Sequence, residues 1–280
     1  MIKLGGTVYR LHPLFTVLMA ISILAGYFTE LLTLFGIVLI HELGHVAAAK
    51  HFDWRVREVM ILPFGGVAST EESDNIPAWE DLIVTICGPL QNVWMAGFAF
   101  WMKETGWWNP EWWDYFCRGN VMIAAFNLLP VLPLDGGKLV QAFLGYHVSY
   151  YRTLVLTIHF SLWFSLLLVV MSVALLFRGG IALNLLLVGL FLFTSNWVAL
   201  RQIPYRFLRF LVTRKSRLGS SGKVEPIVVS ARSRPQKVFQ LFMRDKYHCI
   251  CLTRKDGSLL RVLPEEWLID RYFRNDRRSA

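Results

Sequence analysis

The sequence predicts an α-helical polytopic membrane protein: six transmembrane helices followed by a small α/β domain. Three observations carry this. Hydrophobic residues fill 55% of the 280 positions and charged residues only 18%, too apolar a balance for an ordinary soluble domain. The apolar residues gather in runs that meet or approach the roughly 20 residues a helix needs to cross a bilayer core about 30 Å thick. The charge is also uneven: 10 Lys and Arg stand against 13 Asp and Glu up to residue 200, and 19 against 7 beyond it. The composition excludes disordered, collagen-like and disulfide-scaffold classes. The scattered Cys87, Cys117, Cys249 and Cys251 read as unpaired, and no nucleic-acid motif accompanies the net charge of +9.

The six runs cover residues 14–29, 31–49, 82–102, 119–134 extended to 144, 153–177 and 179–200. The first is short and follows Lys3 and Arg10, but no A-x-A-like cleavage site comes after it, so it reads as a short membrane helix. Six crossings leave both termini on one side. That side carries Lys3, Arg10, Lys50, Arg55, Arg57, Arg152 and the basic tail, the other only Lys103, Arg118 and Arg178, which makes the first side cytoplasmic. Trp101, Trp107, Trp108, Trp112 and Trp113 form an interfacial belt around the opposite loop.

Ionisable groups inside apolar spans are costly and need a partner or a task. The second run contains HELGH, with His41, Glu42 and His45 in its cytoplasmic half. Positions i and i+4 share a helix face, so both imidazoles can grip one metal ion with Glu42 beside it. At this composition such a motif arises by chance with a probability of ~0.007. Hydrolytic zinc keeps three protein ligands and one open position, so a third ligand is required. Asp135, in FNLLPVLPLDGGKL, is the carboxylate available. Pro130 and Pro133 remove backbone donors and Gly136-Gly137 loosens the chain, so the helix should be interrupted there, facing a wet cavity. Lys138, three residues on, could pair with Asp135, although a long side chain near a helix end more often snorkels to the interface. With Zn²⁺ on His41, His45 and Asp135, Glu42 can take a proton from activated water and pass it to a leaving amine. A divalent-cation transporter or metal sensor could use the same groups without hydrolysis.

HELGH on one span, GPLQN on the next and NLLPVLPLDGG on the one after resemble the site-2 protease family of intramembrane zinc metalloproteases. The likeness covers about the first 200 residues. It implies that His41, His45 and Asp135 bind zinc and that Glu42 is the catalytic base and acid. The P-L-D-G order, where many members have N-P-D-G, together with six short-looped helices and no inserted PDZ domain, resembles the sporulation subgroup. That likeness implies a sigma-factor precursor with a membrane-associated pro-segment as substrate. It also implies a cytoplasmic C-terminal CBS domain and, in a spore former, a place in the mother-cell membrane around the forespore. Inhibitory membrane proteins are expected partners.

Among neighbouring motifs, VREVMILPFGGVAST reads as a hairpin-like segment around Phe64, Gly65 and Gly66, either a surface turn or an edge for an extended substrate strand. The family likeness favours a re-entrant loop near the active site. Gly88, Pro89 and Asn92 read as helix-packing residues, whereas Asn127 suits either a cross-helix bond or an oxyanion contact. Residues 201–222 read as a basic amphipathic helix along the membrane surface, then a Gly/Ser linker. Residues 223–280 read as strand, helix, two strands across Asp256-Gly257, and helix. This order resembles one CBS motif, which would dimerise to complete a pair and could bind ATP or serve as a docking domain without ligand.

Overall fold

The apolar runs fold as long helices. The computed structural model describes residues 2–4, 7–11, 13–54, 56–62, 65–70, 76–106, 108–178, 182–217, 223–254 and 257–276. Two compact units divide the chain.

The first unit gathers Met1–Ser73, Trp79–Pro130 and Leu134–Leu139. It begins with β1 (Ile2–Leu4), β2 (Thr7–Leu11) and the 12-residue α1 (Pro13–Leu24). Next comes α2 (Phe28–His51), whose 24 residues reach about 36 Å, enough to span a bilayer core. Strands β3 (Val56–Leu62) and β4 (Gly65–Thr70) precede α3 (Ala78–Glu104). The strands form one sheet in the order β1-β2-β3-β4, parallel only between β2 and β3. The expected hairpin is thus present, but Gly65 and Gly66 lie within β4, opposite Leu62 and Ile61. Phe64 falls outside the described residues. The β1–β2 ribbon has too few alternating positions to stand out in the sequence.

The fourth run departs from expectation at its start. Helix α4 (Pro110–Asn127) begins well before residue 119, with Pro110 in the first turn and Asn109 as cap, its Oδ1 accepting from Glu111 N–H at 3.0 Å. It stops before the two prolines, and α5 (Asp135–His147) starts after them. The interruption is therefore present, but Asp135 is the first residue of the new helix and not part of the break.

The second unit gathers Asp74–Ala78, Val131–Pro133 and Val140–Ala280. Helix α6 (Tyr150–Phe177) packs against α7 (Leu183–Arg217), where Gly189 meets Leu168 and Val169. Along α6, buried Thr153, Thr157, Ser161 and Ser165 recur every fourth residue. Thr153, Thr157 and Ser165 return their hydroxyls to carbonyls of their own helix, whereas Ser161 Oγ accepts from Leu132 N–H at 2.9 Å. Asn196 of α7 donates to the Leu132 carbonyl at 2.6 Å, so both backbone polar groups of this residue are satisfied within the unit. Helix α7 runs unbroken for 35 residues, about 52 Å, so residues 201–217 continue the last apolar helix and are not a separate surface helix.

Strands β5 (Lys223–Ser230), β6 (Lys246–Thr253) and β7 (Leu259–Pro264) form a three-stranded sheet, with α8 (Pro235–Phe239) between β5 and β6 and α9 (Glu265–Asp276) last. The element order is the one read from the sequence. Its core is shared: Ile227, Phe239, Phe242, Ile250 and Ile269 pack with Tyr150 and Leu154 of α6 and with Phe210 and Leu211 of α7. So small a sheet buries too little surface to stand alone, and the helices supply the rest.

A buried ion pair pins this junction. Arg214 donates to both Glu265 oxygens at 2.8 and 3.0 Å and to the Met243 carbonyl at 2.7 Å, and His248 Nδ1 donates to Glu265 at 3.2 Å. Burial pushes the Glu265 carboxyl up, but hydrogen bonds from His248 and Arg214 outweigh this and hold it below the usual carboxylate range. Among the described residues, α2, α3, α6 and α7 are the helices long and apolar enough to cross a membrane. Six were expected; the other two, the 12-residue α1 and the broken α4–α5 stretch with Glu111, Asp114 and Arg118 in its first half, do not meet that length and composition on their own.

Candidate metal centre

In α2, His41 and His45 sit one turn apart, with 1% and 8% of their surface exposed. Glu42 is buried between them in sequence. Gly136 allows the first turn of α5 to lie against the end of α4, since a Cβ there would come within 2.2 Å of the Leu128 carbonyl oxygen. That close approach helps to seat the neighbouring Asp135, itself buried. Its Oδ2 lies 3.0 Å from Nε2 of His41 and 3.0 Å from Nε2 of His45, and the two nitrogens are 3.3 Å apart.

The ring hydrogens are committed elsewhere. Nδ1–H of His41 donates to Oδ1 of Asn92 at 2.6 Å, and Nδ1–H of His45 donates to the Val84 carbonyl at 2.8 Å. In the neutral rings each Nε2 then carries a lone pair, and both converge with Asp135 Oδ2. Three acceptors facing one another with no hydrogen between them repel unless a cation joins them. Separations of 3.0–3.3 Å suit the edge of a tetrahedron, roughly 3.3 Å for Zn²⁺ with two nitrogen ligands and one oxygen ligand. The residues present fit zinc.

The surroundings correct two expectations. Lys138 does not merely snorkel: its Nζ donates to Asp135 Oδ1 at 3.0 Å, leaving Oδ2 for the ligand cluster. Gly88 and Asn92 do more than pack helices. A Cβ on Gly88 would lie 2.2 Å from His45 Nε2 and 2.8 Å from His41 Nε2, so only glycine lets α3 approach both imidazoles. Pro89 cannot donate to the Thr85 carbonyl four residues back, and the neighbouring Val84 carbonyl accepts from His45. GPLQN did mark this helix, but sequence spacing alone could not show that its face meets HELGH. Asn127 lies half-buried in the last turn of α4 and is not one of the clustered ligands.

The comparisons agree with this geometry. The profile of peptidase family M50 matches residues 29–104 and 102–170. Stage IV sporulation protein FB of Bacillus subtilis is 34% identical over 274 residues, covering 97% of this chain and 93% of that protein. This chain belongs to peptidase family M50. Another similar member is a zinc metalloprotease of Methanocaldococcus jannaschii, 31% identical over 43% of this chain and 35% of that protein. The solved site-2 protease from the same organism superposes with a TM-score of 0.58 at 25% identity, covering 71% of this chain and 93% of that one. As an M50 site-2 protease the chain is a zinc metalloendopeptidase and an integral membrane protein, which sets aside the transporter reading.

Proposed function

We propose that this M50 protease cleaves the membrane-associated pro-segment of an inactive sigma-factor precursor, with His41, His45 and Asp135 as zinc ligands and Glu42 as general base and acid. The observation that carries the site assignment is the convergence of His41 Nε2, His45 Nε2 and Asp135 Oδ2 beside a buried glutamate. When bound there, zinc supplies a Lewis acid that polarises a carbonyl and lowers the pKa of water to about 7. Glu42 takes up the proton released by the attacking water and returns it to the departing amine nitrogen. Asn92, Val84 and Lys138 fix the orientation of the three ligand side chains.

The substrate is bound in extended form. Strand β4 ends the order β1-β2-β3-β4 and so offers an edge to which a peptide strand can add, with Gly65 and Gly66 at its start; Phe64, which precedes them in sequence, contributes to substrate binding. Asn127 helps to hold the oxyanion. The whole protease domain, residues 1–200, spans the membrane six times with both termini cytoplasmic, in a spore former in the mother-cell membrane around the forespore. Residues 201–222 link it to a CBS-like domain, residues 223–280, which dimerises, binds ATP and tunes cleavage. Inhibitory membrane proteins act on the assembled enzyme. Similarity to stage IV sporulation protein FB over nearly the whole chain supports this reading. Co-expression with tagged candidate precursors, comparing wild type with Glu42→Gln, tests it: processing by the wild type alone is expected, and processing by both would overturn the site assignment.

A further inference from the structure

The two histidines of the cluster are oriented by acceptors of different kinds. His45 gives its Nδ1–H to a backbone carbonyl, which can only accept. His41 gives its Nδ1–H to an asparagine, whose oxygen and nitrogen exchange places on a half-turn of the amide. Were Asn92 turned, its NH₂ would face His41 Nδ1, the ring proton would move to Nε2, and the lone pair aimed at the cluster would be lost.

A second amide removes this ambiguity. Asn92 Nδ2 donates to Oδ1 of Asn120 at 3.3 Å and lies 3.5 Å from the Asn120 carbonyl oxygen. Asn120 cannot turn either, because its Nδ2 donates to the Phe116 carbonyl at 2.9 Å. Asn92 and Asn120 are 2% and 1% exposed, so water is not at hand to replace a lost partner. The chain of donors thus runs from His41 through two amides to a backbone oxygen in α4 that can only accept.

We propose that Asn120 is a positioning residue that sets the tautomer of His41 through Asn92, and with it the capacity of His41 to bind zinc. This rests on the reading of His41 as a zinc ligand. Nothing in the sequence marks Asn120 above Asn127, the other asparagine of the same apolar run.

The test uses full-length protein in detergent, with zinc affinity measured by chelator competition and histidine tautomers read from ¹⁵N chemical shifts of the zinc-free protein. Asn120→Leu keeps the volume and removes the acceptor. Zinc affinity should fall about 10-fold or more, and His41 should populate the Nε2–H form. Asn120→Asp keeps an oxygen that accepts from Asn92 and should restore wild-type affinity and tautomer. In an Asn92→Asp background, where nothing can turn, the penalty of Asn120→Leu should shrink. Wild-type zinc affinity and tautomer in Asn120→Leu would overturn the proposal. If that variant does not fold, the wild type still decides: a neutral His41 ring with its single proton on Nε2 in the zinc-free protein, read at a pH where the imidazole is not protonated, is equally fatal. Stoichiometric zinc in His41→Ala would instead sink the ligand assignment itself, a result distinct from both.

Discussion

A Cβ built on Gly88 would stand 2.2 Å from Nε2 of His45. Gly88→Ala should raise local helix propensity by roughly 1 kcal/mol and yet displace the imidazole from the cluster. Unchanged helical content by circular dichroism, with zinc content well below stoichiometric, is the expected result. A fully loaded Gly88→Ala would mean that α3 can retreat without disturbing the histidines.

Glu42→Gln keeps the size of the side chain and removes its ability to accept a proton. Cleavage should become undetectable while zinc content stays close to wild type, as measured by atomic emission on the purified protein alongside a processing assay. Substantial cleavage would assign the base elsewhere.

Removing a ligand differs from removing its support. His41→Ala, His45→Ala and Asp135→Ala should each lose stoichiometric zinc. Lys138→Met should retain zinc but bind it about 10-fold more weakly, because Asp135 Oδ1 loses its partner and the carboxylate can rotate. Chelator titration separates the two outcomes, and equal affinity in Lys138→Met would show that the pair does not orient the ligand.

The Arg214–Glu265 pair makes the C-terminal sheet acid-sensitive. The Glu265 carboxyl is held below its ordinary range in the folded protein, so its contribution is present at neutral pH. It diminishes as pH falls below about 4.3, where the unfolded chain takes up the proton more readily. Arg214→Ala leaves that carboxylate buried without its cation and should cost about 3–5 kcal/mol. Hydrogen exchange in β6 and α9 of the full-length protein should accelerate in the variant at pH 7, and in the wild type only under acid.

The tail supplies a further test of the proposed regulation. ATP should change precursor cleavage by the full-length enzyme but not by a form lacking residues 224–280. That deletion uncovers Tyr150, Phe210 and Leu211, so it should also lower the midpoint of thermal unfolding. Wild-type processing and an unchanged midpoint would make the tail a passenger.

Much of the candidate site was legible in the sequence because polar residues are conspicuous in apolar spans. HELGH announced its chemistry by helical spacing, and the two prolines marked the break before Asp135. The α–β order of the tail followed from periodicity and turn residues. Spacing along one helix, however, says nothing about which face another helix presents. Only the packing of α2, α3 and α4 shows Gly88 against the imidazoles and the amides of Asn92 and Asn120 in line with His41. Likewise only the folded chain shows α6 and α7 completing the core of the tail, and α7 running on past the apolar run. The physical reason is range. Ligand type, helix period and proline breaks act over a few residues and are written locally, whereas tautomers, close approaches and shared cores depend on groups dozens of positions apart meeting in a dry interior.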